Sequence, residues 1–396
     1  MSTSSVDHVG GRVQRLRDAA GLSIQALADI TGLTEWQIRR IEMGHRKRLS
    51  AGELYALAVG LGVSQDRLLG AVPSAVRFTT LAARLTAGRS ADGDGLRDAM
   101  QRAATLVDSA SRFRAFDFDS RPVDRWWVPP ELPKEKERGI AFAMQVRERL
   151  GLGLDPIVNI QLFAQLHFGL QVSREPLEGM RGVTFAGSVD EDDARVAIAL
   201  VNNTNEPIGA QRFTAAHELG HFLFGDLDQD WIHVEAISEN SGLNLTELRC
   251  NTFAAELLCP AAGVREILQA TAERGREGLR AAAVRVWSTY AVSWKVAQNR
   301  VIDVSGDPQD AAWLRRQKLA ASLHAEGVNP EVSQCVESEA AGVHPPSLTV
   351  ASALRAYAAG EVSAVGLADL FRYDDAETLR EDLERAGWMP RGSMNA

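Results

Sequence analysis

The sequence predicts a multidomain protein, mainly α-helical with one α+β part, and three observations carry that expectation. Residues 9–70 show helix-period apolar positions broken at Gly21, Gly32, Gly44 and Gly62. Between about 135 and 275, helical stretches surround three strand-like segments, "FGLQVSR" (168–174), "GVTFAGS" (182–188) and "ARVAIALVN" (194–202). Residues 276–396 are again helix-patterned and rich in Ala, Arg and Glu. A length of 396 residues holds about two to three domains. The expected division is 1–72, a helical and proline-containing linker at 73–134, an α+β unit with a small three-stranded sheet at 135–275, and a helical C-terminal region at 276–396.

The composition, 45% hydrophobic and 24% charged, is that of an ordinary soluble domain protein. The apolar run "VAIALV" (196–201) is far shorter than the roughly 20 residues that cross a bilayer. The start, "MSTSSVDHVGGRVQRL", has no apolar core for a signal peptide. Cys250, Cys259 and Cys335 form no disulfide framework. A cytoplasmic protein without membrane contact is therefore expected. The net charge of -9 argues against nucleic-acid binding over the whole surface. Residues 9–50 differ, with eight Lys/Arg against four Asp/Glu, and only a docking face has to meet phosphate.

Within that basic stretch, "SIQALADITGLTEWQIRRIEM" (23–43) reads as two helices and a tight turn. Ser23 can cap a helix with Leu27, Ala28 and Ile30 on its apolar side. Gly32 is free to take a positive φ, and Thr34 caps the next helix, which buries Ile38 and Ile41. Helical spacing then leaves Glu35, Trp36, Gln37 and Arg40 outward, where side chains of a helix-turn-helix reach base edges. An interaction module with a solvated basic face is the alternative. The segment "LRDAAGLSIQALADITGLTEWQIRRIEMG", followed by "LSAGELYALAVGLGVSQDRLL", resembles the Cro/C1-type (XRE-like) helix-turn-helix domain over roughly 9–70. That resemblance implies a five-helix DNA-binding domain acting as a homodimer on palindromic operators in double-stranded DNA. Thr34, Glu35, Trp36, Gln37 and Arg40 would then contact bases, with Arg46, Lys47 and Arg48 near phosphate.

After this stretch comes a plausible helix around 94–112. A connector with four prolines follows, "FDFDSRPVDRWWVPPELP" (116–133), semi-rigid by composition. "EKERGIAFAMQVRERLGL" is a helix with Ile140, Ala143, Met144, Val146 and Leu150 on one face. "DPIVNIQLFAQLHFG" reads as a second helix with Asp155 and Pro156 at its start.

The chemistry concentrates in "RFTAAHELGHFLFG" (212–225). Residues four apart on a helix share a face, about 6 Å apart along the axis, so His217 and His221 can bind one ion. Glu218 between them can take a proton from water at the ion's open position. The same motif on a helix without metal is the bland reading. A His-His-Glu zinc site needs a third ligand from another element. "TELRCNTFAAELL" (246–258) offers Glu247, preferred over Glu256, which lies about two and a half turns further on. Asn251, four after Glu247, could hydrogen-bond a ligand histidine. His233 is either an oxyanion stabiliser or a surface histidine, and Cys250 either a redox gate or a small buried cysteine.

With the strand ending in "NN" (202–203), "RFTAAHELGH", and "E-x-x-x-N-x-F-A-A-E-L-L-C-P" (247–260), residues 135–265 resemble the ImmA/IrrE family of zinc metallopeptidases. The resemblance implies a zincin-like (gluzincin) α+β site holding Zn2+ through His217, His221 and Glu247, with Glu218 as base. It also implies a repressor-type protein as substrate or partner. Further on, "LRAAAVRVWSTYAVSWKVAQNRVIDVSG" (279–306) resembles the helical packing segment after the core in that family. The stretch 344–388 reads as three helices. The function expected is a DNA-binding regulator whose peptidase domain cleaves or inactivates a repressor, itself or a partner, on a signal. A non-cleaving ligand or metal sensor and an antitoxin-like partner-binding regulator are the alternatives.

Overall fold

The computed structural model describes residues 9–19, 22–46, 49–61, 68, 77–85, 93–113, 132–189, 194–226, 232–235, 245–306, 308–329, 331 and 342–390. The N-terminal part contains α1 (Val9–Ala19), α2 (Ile24–Thr31), α3 (Glu35–Glu42) and α4 (Ala51–Leu61). The fifth expected helix falls almost wholly outside the described residues. Ser23 caps α2 by accepting from the Ala26 amide, and Gly32 ends it in the left-handed region at φ 68. Thr34 and Gln37 form a reciprocal capping box at the start of α3. These signals act locally, so the turn forms as the sequence predicts. Val13, Leu27, Ile38, Ile41, Leu57 and Leu61 make a separate small core. Ile30 departs from the expectation and is 43% exposed. Arg17 donates to Glu42 in a buried ion pair at 2.7 and 3.0 Å, tying α1 to α3.

The remaining elements are β1 (Arg77–Leu85), α5 (Gly93–Arg112), α6 (Glu135–Arg149), α7 (Ile160–Phe168), β2 (Gln171–Glu175), β3 (Met180–Val189), β4 (Ala194–Asn202) and α8 (Ile208–Leu223). Then follow β5 (Ile232–Glu235), α9 (Leu245–Leu258), α10 (Ala261–Ala270), α11 (Gly275–Tyr290) and α12 (Trp294–Ser305). The last are α13 (Pro308–Leu314), α14 (Leu319–Ala325), α15 (Ser347–Ala359), α16 (Ala364–Phe371) and α17 (Ala376–Arg385). Helix α7 starts later than Asp155 and Pro156 suggested, because Asn159 is its cap and accepts from the Leu162 amide. On α6 the buried face is Phe142, Ala143 and Val146, whereas Met144 is exposed.

The three expected strands form a mixed unit in which β2 runs parallel and β3 antiparallel to β4. Two further strands extend it, giving the order β2-β4-β3-β1-β5. Strand β1, antiparallel to β3 with Leu81 opposite Phe185, comes from the stretch expected to be a linker. Its connection to the sheet is long-range, and no local pattern in 73–134 announced it.

Both faces of the sheet are covered, which explains why "VAIALV" is apolar at every position. Ala197, Ala199 and Val201 of β4 face a core shared with α6 to α12. Val196, Ile198 and Leu200 face a second core with α5, α15, α16 and α17. The alternation also grades size. The two alanines point toward α8, so that helix lies close to the sheet and its motif is buried. The expected C-terminal region is thus two things: α11 to α14 extend the first layer, and α15 to α17 cover the opposite face. Arg102 of α5 clasps them, donating to Glu175 of β2 at 2.9 Å and to the carbonyls of Asp369 and Leu370.

Candidate metal centre and DNA-reading helix

Helix α8 buries His217, Glu218 and His221 against α9 and the sheet. The α8–α9 crossing is tight at Gly220, where a Cβ would lie 3.2 Å from Phe253 and 3.4 Å from the Cys250 backbone. This close approach brings Glu247 across to the two imidazoles. Nε2 of His221 is 3.0 Å from Nε2 of His217 and 3.0 Å from Oε1 of Glu247. Nε2 of His217 is 3.2 Å from Oε2 of Glu247.

The donor set fits a divalent metal. Zinc–nitrogen bonds of about 2.0–2.1 Å at tetrahedral angles place neighbouring ligand atoms about 3.3–3.4 Å apart, and the observed edges are within a few tenths of that. Two imidazoles and one carboxylate also leave a coordination position open, as catalytic sites do. His217, His221 and Glu247 can therefore hold an ion, among the described residues one of two such groups. The other, His221, Asp226 and Cys250, shares His221 and lies behind it.

Asp226 is a residue the sequence reading missed. Its Oδ2 lies 2.9 Å from Nδ1 of His221, and its other oxygen accepts from Arg249. A carboxylate can only accept, so His221 carries its proton on Nδ1 and turns the Nε2 lone pair to the metal position. The available signal was a carboxylate five residues after His221, just past the helix end. Asn251, expected in this role, instead lines a neighbouring cavity; the hydrogen-bond partner of a ligand histidine's Nδ1 among the described residues is Asp226. Glu256, the alternative third ligand, is committed to Arg300 and to the Ala261 amide. The side chain of His233 lies outside the described residues. Cys250 is buried, its sulfur 3.7 Å from Asp226.

Electrostatics follow from the packing. Burial disfavours a charged His221, but Cys250, Asp226 and Glu247 around it outweigh that and raise its pKa well above the usual imidazole value. Burial would raise the Glu247 pKa, yet the two imidazoles hold this carboxyl far below the normal range. Asp226 is likewise lowered, with His221 and Arg249 overcoming burial.

Glu218 faces the sheet rather than α9. Thr184 of β3 donates to its Oε2 at 2.5 Å, fixing the carboxylate. Gly182, on the same face of β3, leaves it room, since a Cβ there would lie 2.7 Å from Oε1 of Glu218. Neither position announces itself in sequence, because "GVT" is an ordinary strand segment.

In the N-terminal part, Trp36 is 63% exposed on α3, and the Arg40 guanidinium lies over its ring, 4.8 Å from the centroid. Glu35 pairs with Arg39 at 3.4 Å. The Gln37 side-chain Oε1 accepts from the Thr34 amide at 2.8 Å and from its hydroxyl, so Thr34 and Gln37 build the helix start as well as facing outward. Arg46 pairs with Glu53 at 2.6 Å. Lys47 and Arg48 lie outside the described residues.

These observations define a helix-turn-helix unit joined to a peptidase-like α+β domain with a His-His-Glu donor set. Comparison with known families agrees with both parts. Residues 13–68 match the helix-turn-helix family model, and residues 166–301 match the IrrE N-terminal-like domain of the M78 peptidases. The chain therefore carries an XRE-type helix-turn-helix followed by an IrrE/ImmA-like peptidase domain. No curated protein matches it. Among solved structures, the crystal structure of ComR from Streptococcus suis aligns over 96% of this chain and 95% of that one at 13% identity, with a TM-score of 0.15. No helix among the described residues is long and apolar enough to cross a membrane.

Proposed function

We propose that this protein is a cytoplasmic DNA-binding regulator, acting as a homodimer on an operator. Its zinc peptidase site would end repression by cutting a repressor-type protein, itself or a partner, in response to a signal. The convergence of His217, His221 and Glu247 beside a buried, oriented Glu218 carries this reading. Zinc held by those three residues would supply Lewis-acid activation of a water molecule and of the scissile carbonyl. Glu218 would take the water proton and pass it to the leaving amine. Thr184, which donates to its Oε2, would hold the carboxylate in place during both transfers.

The test is to load the purified full chain with zinc and follow intact masses, alone and with proteins encoded beside its gene. New fragments that vanish on adding a chelator are expected. Unchanged masses in every mixture, with zinc bound, would leave a sensor rather than a peptidase.

The regulator half has its own expected result. Arg40→Ala should weaken binding to the DNA upstream of the protein's own gene by about 5–150-fold, from the roughly 1–3 kcal/mol of a base contact. Binding should also fall steeply with salt. Fluorescence anisotropy across a salt series measures both, and an unaltered Kd would move the interface off α3.

A further inference from the structure

A cavity of about 510 Å³ lies beside the metal centre. It begins one helical turn from the chemistry: Thr214 precedes Glu218 by four residues on α8, and Asn251 follows Glu247 by four on α9, and both line it. Ile140, Phe213 and Val296 supply apolar wall. This size falls in the ordinary range of ligand pockets, about 300–1,000 Å³, and exceeds what a single small anion fills.

The mouth is cationic. Lys136 of α6 and Lys295 of α12 line it and are exposed. The other lining charges are largely answered within the protein, Arg181 by Glu206 at 3.7 Å and Arg300 by Glu256; Asp303 is the remaining acid. Both lysines occupy the second position of their helices, where a cation opposes the macrodipole. The acids in the first turn of α6 are engaged elsewhere, Glu135 with Arg138 and Arg249, and Glu137 with Lys134. Helix α12 has no acid in its first turn. Ala210 brings the first turn of α8 to the same cavity. Three helix starts and two ammonium groups thus bring positive potential to one apolar hollow, an arrangement that an anion offsets.

We infer that this cavity is the subsite that selects the peptidase's substrate, taking an extended protein segment whose apolar side chain is flanked by acidic residues. The inference rests on the peptidase reading above. With the apolar side chain between Ile140, Phe213 and Val296, the neighbouring carboxylates meet Lys136 and Lys295. The adjoining backbone then passes Thr214 and Asn251 toward Glu218 and the metal ligands.

The experiment uses the zinc-loaded full chain carrying Glu218→Gln, so that bound peptide persists. Two labelled peptides identical except for Glu or Lys on either side of a central Leu are titrated by fluorescence anisotropy at low salt. The acidic peptide should bind about 10-fold more tightly, with the gap closing as salt rises. Adding Lys136→Glu and Lys295→Glu should reverse the preference; both positions are exposed, so the fold tolerates the change. Equal affinities, or a preference that survives charge reversal, overturn the subsite. The same peptides with Glu218 intact separate the two readings. Acid-selective binding without cutting keeps the subsite and removes the peptidase, whereas equal cutting of both peptides keeps the peptidase and removes the subsite.

Discussion

Glu218→Gln should abolish fragment formation while leaving zinc bound, a loss of about 10²–10⁴-fold in rate for removing a positioned general base. Glutamine keeps the shape and can still accept from Thr184 at the position where Glu218 does, 2.5 Å away, so packing against Gly182 is undisturbed. What it lacks is a carboxylate able to take a proton. The ligands His217, His221 and Glu247 are untouched, so metal analysis of the variant should match the wild-type chain. Identical fragments from both proteins on intact-mass spectra would defeat the assignment of Glu218 as the base.

The second large effect is expected at Asp226. Replacing it with Ala should weaken zinc binding by about 10–100-fold, the usual consequence of removing a carboxylate that orients a ligand imidazole. The 2.9 Å contact to His221 Nδ1 fixes both the tautomer and the ring plane. Asp226→Asn keeps an acceptor without the charge and should fall between the two. Because Asp226 also helps raise the His221 pKa, it favours the competing proton as well as the metal. Ligands must lose protons to bind, so apparent affinity should rise with pH. The deficit of the Ala variant should be widest at alkaline pH, where proton competition is gone. Competition with a chromophoric chelator measures this, and equal affinity of the Ala variant and wild type at alkaline pH would remove Asp226 from the site.

Helix-encoded features were readable because their causes are local. Ser23, Gly32 and Thr34 act on backbone groups within a few residues, so the helix-turn-helix was legible from spacing alone. The 3.6-residue period likewise put His217 and His221 on one face of α8. The partner carboxylate was legible only by resemblance and by counting residues to Glu247. Its meeting with the imidazoles depends on the α8–α9 crossing, which Gly220 permits.

By itself, the sequence determined the two helices of the helix-turn-helix, the strands β2, β3 and β4, and which residues had metal-binding chemistry. The tertiary structure decided that a stretch read as linker supplies β1, that the C-terminal helices close the far face of the sheet, and that Asp226 rather than Asn251 meets His221. Thr184 and Gly182 around Glu218 belong to the same set. The division has one physical cause. Caps, turns and helical faces are set by neighbours in the chain, whereas strand pairing and the surroundings of a buried carboxylate are set by long-range contacts that only packing brings together.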